Sequence, residues 1–491
     1  MSVLRPAFFA LCAVSLAGCA VGPRLRTPHP LVPTQYTAHT TDGASAQRLR
    51  WTKKEQSDWW HLLHSPLLDH YLADARKANP DLQAAQASLK RAQALVGVAE
   101  GGLLPQVDAG ASVGRERALR TGTNGGSAYR IPGNLYSLLL GTVNISYAPD
   151  LFGRQSDQID AAKAQAAVAE AQWKQSQVFL AAAVSRAVIT GAAANAQWQA
   201  ARGIAAADQR LLRLLTQEYH LGAQNLQTVE QQQAITAAAR SRIAPLAAER
   251  ATARHALAAL LGKNPDAKLP LPTLAQLRLP DPLPTAIPSA LLQQRPDIEA
   301  ARAAVHAAAA DAKLAAADRF PQVDITASLG KAAQSGALFF NPASTLWNLG
   351  ASLAAPIYHG GALAAQEKAA IDLYQVRSAQ YRSTVLNAFR EVADALRALK
   401  ADDTAYTQQK AAQMAAAQAW KLAQDRYRDG ETNYETVLNA EIAYQKDTVA
   451  AIHGRSQRYL DSVALFLALG DGWSPVAGSH PHSTPHAGAQ S

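Results

Sequence analysis

The chain has 491 residues, of which 17% are charged and 6% aromatic, and its formal net charge is +9. Its lysines and arginines are scattered among alanine and glutamine, without a basic run or interleaved aromatic residues, which argues against nucleic-acid binding. The two cysteines, Cys12 and Cys19, both lie in the first twenty residues, so the body of the chain contains no disulfide framework and no cysteine metal site.

The N-terminus has the pattern of a bacterial secretory leader. Arg5 precedes an apolar stretch at 6–16, which is too short to cross a bilayer and fits a signal peptide at 1–18. The segment Leu16–Cys19 resembles a lipobox, which predicts that Cys19 is the lipid-bearing N-terminus of the mature chain. Residue 20 is Ala and not the Asp that resembles an inner-membrane retention signal, which favours the outer membrane. The alternative is an ordinary cleaved signal followed by an incidental cysteine.

Motifs in the first half of the chain return in the second half, which indicates an internal duplication. The difference in residue number between matching motifs is the same for the first two pairs and slightly smaller for the later ones. The first copy should therefore carry a longer loop between its strands, roughly at Leu119–Asn134. The matching segments are Asn79–Leu82 with Arg295–Ile298, Leu104–Asp108 with Phe320–Asp324, Tyr147–Gly153 with Ala354–Gly360, Tyr219–Gly222 with Tyr427–Gly430, and Leu260–Gly262 with Ala468–Gly470.

This duplication predicts four segments. They are the signal peptide at 1–18, an N-terminal tail with the first repeat at 19–285, the second repeat at 286–473, and a tail at 474–491. Each repeat is expected to run helix, strand, strand, long helix, helix, which makes the fold class α+β. The final tail contains His480, His482 and His486 among proline, serine and glycine. A disordered, solvated tail is the favoured interpretation, and a metal-binding tail is the alternative.

The predicted strands alternate apolar and polar residues with a period of two. The pattern is clear at Gln106–Val113 and Gln322–Leu329. Each strand is about ten residues long, which suits a tilted strand crossing a bilayer, whereas a half-buried sheet of a soluble domain is the alternative. The lipobox and the repeat favour the membrane. We predict that Val323, Ile325, Ala327 and Leu329 face lipid, and that Gln322, Asp324, Thr326 and Ser328 face a lumen.

The number of strands predicts an oligomer. No segment after the leader has about 20 consecutive apolar residues, so a membrane crossing would have to be made by strands. Two strand pairs give four strands per chain, whereas the smallest transmembrane barrels have about eight. Open sheet edges are not satisfied in lipid, so several chains would have to close one barrel.

A long helix is predicted after each strand pair, at Gly153–Tyr219 and Gly361–Asp429, where proline is almost absent. Roughly 70 helical residues would reach about 100 Å. Gly222 and Gly430 are expected to end these helices as C′ glycines, and Pro245 should kink the returning helix of the first repeat. A heptad seam is predicted at Val385, Phe389, Val392, Leu396 and Leu399.

Together these motifs resemble the TolC/OprM-like outer-membrane factor family, in its lipoprotein, NodT-type branch. The resemblance extends from Cys19 to about Trp473, and its motifs are individually modest but jointly specific. They are Cys19–Pro23, Trp59-Trp60, Ser65–Leu67, Asn79–Leu82, Leu104-Pro105, Tyr147–Gly153, Ala388–Leu396, Arg426–Gly430 and Leu469–Trp473.

The resemblance implies a homotrimeric outer-membrane channel of a tripartite efflux system. Four strands per chain would form a transmembrane β-barrel continuous with an all-helical periplasmic α-barrel. The partners would be a periplasmic adaptor (membrane fusion) protein, an inner-membrane RND-type or similar pump, and outer-membrane lipid. The channel would conduct drugs or small molecules passively. It would need no cofactor besides the covalent lipid at Cys19.

The resemblance also implies a periplasmic gate near the second helical turn. Tyr427 matches a gate tyrosine of the family. Asn439 stands where relatives often have aspartate, Ile442 where several have arginine, and Thr436 where some have aspartate, so the familiar acidic ring and ion-pair lock are in doubt. The candidate gate residues are Tyr427, Asp429, Glu435, Asn439 and Glu441. For Glu435 and Glu441, ordinary solvated helix carboxylates are the alternative.

The sequence contains no Gly-x-Ser-x-Gly, His-Glu-x-x-His or phosphate-binding loop, so an enzyme is disfavoured. A lipid-anchored helical tether without a pore would explain the lipobox and the heptads, but not four bilayer-length strands. A type I protein-secretion duct is a further alternative, although lipidation favours small-molecule efflux. The sequence does not identify the cargo.

Overall fold

The computed structural model describes residues 23, 25–26, 28–29, 32–36, 47–52, 57–117, 120–124, 127–131, 135–286 and 288–470. The predicted signal peptide, the lipid site at Cys19 and the histidine-containing tail lie outside these residues.

Within the described residues the fold is α+β, as predicted. The helices are α1 Pro66–Ala78, α2 Pro80–Gly101, α3 Arg154–His220, α4 Leu226–Ser241, α5 Ile243–Leu260, α6 Pro288–Gln294, α7 Pro296–Ala317, α8 Gly336–Phe339, α9 Ala362–Arg428 and α10 Tyr434–Leu469. The strands are β1 Leu49–Thr52, β2 Gln106–Arg117, β3 Arg120–Asn124, β4 Ser127–Ile131, β5 Leu135–Tyr147, β6 Leu283–Ala286, β7 Gln322–Ala333 and β8 Thr345–Ala354.

The described residues form two compact units, and each sequence repeat contributes to both. One unit is built mainly from Leu89–Ala169 and Ala301–Tyr381 and contains the principal sheet. The other is built mainly from His29–Ser88, Glu170–Ala300 and the described residues from Arg382 onward. In the core of the second unit, the rings of Trp59 and Phe466 stack with their centroids 4.8 Å apart.

The two long helices, α3 and α9, have 67 residues each, and their bounds agree with the predicted ones to within one residue. One helix, α3, contains an 18-residue stretch long and apolar enough to cross a membrane, but 67% of that stretch is buried within the chain. The buried core helix of a soluble protein has the same composition, so this stretch alone does not indicate a membrane crossing.

The returning helices differ between the repeats because of one proline. In the first repeat α4 ends at Ser241 and α5 begins at Ile243. Pro245 cannot donate a hydrogen bond to the Ser241 carbonyl, and its ring clashes with that group, which interrupts the helix there. The predicted kink is thus an interruption at Arg242. The second repeat has no proline at this place, and α10 continues unbroken for 36 residues.

In each repeat, an equivalent hydrogen bond joins a side chain before the strand pair to the end of the last helix. The Asn79 side-chain amide donates to the Leu260 carbonyl at the end of α5, over 3.0 Å. The matching residue of the second repeat, Arg295, donates through its guanidinium to the Ala468 carbonyl of α10, over 2.7 Å. A side chain at the start of each repeat therefore satisfies a carbonyl at the end of its last helix.

The principal sheet contains the four predicted strands in the antiparallel order β2-β5-β7-β8. The predicted loop at Leu119–Asn134 contains a hairpin, because β3 and β4 pair with each other within it. The parallel pair of β1 with β6 was not predicted; it joins the N-terminal tail to the boundary between the repeats.

Candidate functional site

Along Gln322–Leu329 and the residues paired with it, the sheet has one apolar face and one polar face. Residues directly opposite each other in an antiparallel pair lie on the same face, and the register places Leu329 between Val143 and Trp347. The same face continues across all four strands. Its members include Val107, Ala109, Ala111, Val113, Leu139, Val143, Ile145, Val323, Ile325, Ala327, Leu329, Trp347, Leu349, Ala351 and Leu353.

Large side chains on the apolar face are exposed in the single chain. Val113 is 80% exposed and Trp347 is 75% exposed. The other face carries polar residues in register, with Asn144 paired to Asp108 on one side and to Ser328 on the other. The predicted alternation is therefore confirmed as two faces. An exposed apolar face of this length is unfavourable in water and favourable against an apolar surrounding.

The long helices of both repeats end in the same way. Gly222 and Gly430 both have a φ of 75°, as expected for C′ glycines. In each turn the residue after the glycine donates its backbone N–H to the carbonyl five positions earlier, Ala223 to Glu218 and Glu431 to Arg426, both over 2.8 Å. These bonds satisfy carbonyls that the helix end would otherwise leave free.

The helices that follow also begin in the same way. The Asn225 carboxamide oxygen caps α4 by accepting from the Thr228 backbone N–H over 2.9 Å. Asn433 caps α10 by accepting from the Thr436 backbone N–H over 3.1 Å. The Gly-x-x-Asn-x-x-Thr spacing that carries this turn occurs in both repeats of the sequence, although the sequence analysis did not use it. We call 217–228 the first tip and 425–436 the second tip.

Tyr427 links the two tips. Its hydroxyl donates to Glu218 Oε2 over 3.1 Å and accepts from Gln224 Nε2 over 2.9 Å. Burial and the hydrogen bond to Glu218 raise the pKa of Tyr427 to about 12. The Tyr427 ring packs edge-on against Tyr434, with centroids 6.2 Å apart. Sequence reasoning identified Tyr427 but missed Glu218 and Gln224, which resemble ordinary polar helix residues.

Tyr434 anchors the second tip in the small apolar cluster between the tips. It packs with the buried side chains of Leu215 and Val229. Its hydroxyl donates to Gln232 Oε1. Burial, with Glu441 and Asp208 as further causes, raises the pKa of Tyr434. The contact joins the second tip to helices of the first repeat.

The other predicted gate residues do not gather around Tyr427. Asp429, Glu435 and Asn439 are exposed in the single chain. None of their side chains makes a hydrogen bond or ion pair with another residue that the structure describes. They are therefore free on the surface of the chain, and whether they line an aperture stays a prediction.

Glu441 is buried, at 1% exposure, and is not a solvated carboxylate. It lies against the carboxyl of Asp208 on α3, which is equally buried. The Gln445 amide donates to Glu441 Oε1 over 3.1 Å. Burial and then Asp208 raise the pKa of Glu441 to about 9. Asp208 was not identified from the sequence, because nothing local marks an aspartate that will meet another carboxyl.

Comparison with known proteins gives matches along most of the chain. A family model described as "Outer membrane efflux protein" matches residues 71–263 and 287–471, each within one predicted repeat. The pyoverdine export outer membrane protein OpmQ of Pseudomonas aeruginosa is 28% identical over 454 residues, which cover 91% of this chain and 94% of OpmQ. The outer membrane protein OprJ of the same organism is 28% identical over 485 residues, which cover 96% of this chain and 97% of OprJ.

Solved structures of similar fold have comparable coverage. The outer-membrane channel OprN matches with a TM-score of 0.83 and 27% identity, over 93% of this chain and all of OprN. The open state of the MtrE outer membrane channel of Neisseria gonorrhoeae matches with a TM-score of 0.78 and 25% identity, over 92% of this chain and 98% of MtrE.

Proposed function

Because this chain belongs to the outer membrane efflux protein family, we propose that three copies of it form the passive exit duct of a tripartite efflux system. Several relatives are named as outer membrane proteins of efflux pumps, and this chain is an outer-membrane efflux channel of the same kind. The trimer, the lipid anchor, the cargo and the partners belong to the proposal.

The observation that carries the proposal is the sheet with one exposed apolar face and one polar face. Such a sheet suits a barrel wall, with apolar residues toward lipid and polar residues toward a lumen. Within the described residues β2 and β8 are the edges of the sheet. Pairing β8 of one copy with β2 of the next would satisfy both edges, which lipid requires. Three copies would give twelve strands.

The long helices α3 and α9, with the two tips at their ends, support a role in the periplasm. The two tips would meet a periplasmic adaptor and, through it, an inner-membrane RND-type or similar pump that supplies the energy. The chain itself would carry out no chemistry. Relatives are named for pyoverdine export and for toluene efflux, and we propose that small organic molecules are also the cargo here. Cys19 would carry the covalent lipid that anchors the mature N-terminus.

Single-channel recording tests the proposal against a tether without a pore. Purified full-length protein is added to a planar lipid bilayer under voltage. A channel predicts discrete current steps of uniform size, whereas a tether binds the membrane without steps. Heat-denatured protein is the control for detergent artefacts. Membrane-bound protein that never produces current steps would contradict the proposed function.

A further inference from the structure

Two buried carboxyls meet between helices of different repeats. Asp208 lies on α3 about two and a half turns before the first tip, and Glu441 lies on α10 about one and a half turns after the second tip. Both are 1% exposed. The contact therefore joins the first long helix to the last helix, next to the turns where the tips are held together.

The burial of this pair and the lack of donors around Asp208 favour a shared proton. The carboxyl of Glu441 lies against the carboxyl of Asp208, and Gln445 supplies one amide donor to Glu441. Both carboxyl oxygens of Asp208 are buried, and no amide, hydroxyl or cationic group of the described residues donates to them. A proton on Glu441 would supply the donor that Asp208 lacks. Without it, two anions would be in contact and shielded from water, which is strongly unfavourable.

The groups facing the pair are neutral. From α4, Gln232 donates its amide to the backbone carbonyl of Asp208 over 3.3 Å. From the second tip, the hydroxyl of Tyr434 donates to the same Gln232, and Tyr427 lies beyond Tyr434. Burial raises the pKa of both tyrosines above its ordinary value, so neither ionises at neutral pH. No lysine, arginine or histidine of the described residues pairs with either carboxyl.

We propose that Asp208 and Glu441 share one proton as a latch that holds α3 and α10 together beside the tips, so that alkaline pH opens the channel. This inference rests on the proposed channel function and adds a means of regulating it. Loss of the proton leaves two buried anions in contact, and moving the helices apart lets water reach both. Burial raises the pKa of Glu441 to about 9, so the closed state retains the proton at neutral pH.

The direction in which pH shifts the equilibrium between closed and open channels follows from the number of protons that each state binds. A carboxyl that is hydrated in the open state has an ordinary pKa, whereas the closed state holds its proton more tightly. The open state therefore binds fewer protons, and rising pH favours it. The ratio of open to closed channels should rise by up to about tenfold per pH unit and level off once the closed state also loses the proton.

The test records open probability in planar bilayers between pH 6 and pH 10. Wild type should open progressively and level off near pH 9. Glu441→Gln should lose this rise, because its amide still donates to Asp208 but cannot titrate. Glu230→Gln, which removes an exposed carboxylate on α4, is the matched control and should keep the rise. A rise that persists unchanged in Glu441→Gln would overturn the latch.

A second measurement does not depend on conduction. In the difference between the infrared spectra of wild type and Glu441→Gln, the C=O band of a protonated carboxyl should be present at pH 7 and should disappear above pH 9, whereas the contribution of Asp461 cancels because both proteins contain it. An identical carboxyl spectrum in both proteins at pH 7 would overturn the shared proton. If wild type shows this band but never conducts, the proposed channel function fails while the protonated pair stands.

Discussion

The hydroxyl of Tyr427, at the second tip, donates a hydrogen bond to the carboxylate of Glu218, at the first tip, over 3.1 Å. Together with the bond from Gln224, it joins the ends of the two long helices through a single side chain. A group that holds two helix ends together resists their separation. The contact is therefore the best-defined candidate in the described chain for keeping the tips closed.

Tyr427→Phe should raise single-channel open probability at neutral pH. The change removes both hydrogen bonds and leaves the ring packing against Tyr434, which weakens the contact by about 1–3 kcal/mol. Glu218→Gln is the matched control, because its amide oxygen can still accept from Tyr427. Bilayer recording compares the three proteins. Equal open probability in Tyr427→Phe and wild type would exclude this hydrogen bond as a closing contact.

Asn439 is exposed in the single chain, so any closing role would come from copies of itself across the symmetry axis. A neutral amide there would avoid the repulsion of three carboxylates and could hydrogen-bond between subunits. We expect Tyr427→Phe combined with Asn439→Ala to conduct more than Tyr427→Phe alone, and to admit large antibiotics into cells. If Glu435→Gln opens the channel and the double variant does not, the gate depends on carboxylates.

Local signals in the sequence predicted the parts of the fold that depend on nearby residues. Glycine at 222 and 430, proline at 245 and the alternation in β7 each act within a few positions, so helix ends, an interruption and two sheet faces followed from them. The partners of Tyr427 and Glu441 did not follow. Glu218 and Asp208 lie some two hundred positions away, and only the packing of one repeat against the other brings them close.

Ile325 and Thr326 are neighbours on β7 that point to opposite faces of the sheet. Ile325→Arg would bury a charge in hydrocarbon and should destabilise the inserted protein by about 2–4 kcal/mol near the midplane. Thr326→Arg should be tolerated, since the side chain stays in water. Urea unfolding of protein in lipid vesicles measures both. Equal destabilisation by the two changes would contradict the assignment of faces.

Cys19 is the predicted lipid-bearing residue. Cys19→Ser should abolish incorporation of labelled palmitate, because serine lacks the thiol that takes the diacylglycerol. Cys12→Ser, within the predicted leader, is the matched control and should still be labelled. Partial function is expected to survive in Cys19→Ser, because the strands anchor the protein by themselves. Lipid labelling of the Cys19→Ser protein would refute the lipobox assignment.

Asp461 on α10 is a second buried carboxyl. Burial and then Asp402 raise the pKa of Asp461 to about 7. A carboxyl with a raised pKa binds more protons in the folded state, so its stabilising contribution is complete below its unfolded pKa of about 4 and is lost as pH rises through 7. The stability of the protein should therefore fall across this window.

Asp461→Asn should remove this loss. We expect it to increase the free energy of unfolding at pH 8 by on the order of 1–3 kcal/mol, seen as a higher melting temperature, and to change little at pH 4. Asp447→Asn, on the same helix but more accessible to solvent, should alter neither value. A melting temperature that stays unchanged at pH 8 in Asp461→Asn would show that ionisation of this carboxyl does not destabilise the folded protein.

Stepwise thiol modification of a lumen-facing residue tests most directly whether three chains surround one pore. The only native cysteines are Cys12 and Cys19, so Thr326→Cys would add a single reactive thiol to each lipidated chain. A charged methanethiosulfonate reagent added during bilayer recording should reduce the current in three discrete steps. Ile325→Cys, facing lipid, should not respond. A single step, no step, or a response only from Ile325→Cys would contradict a trimeric channel with this wall.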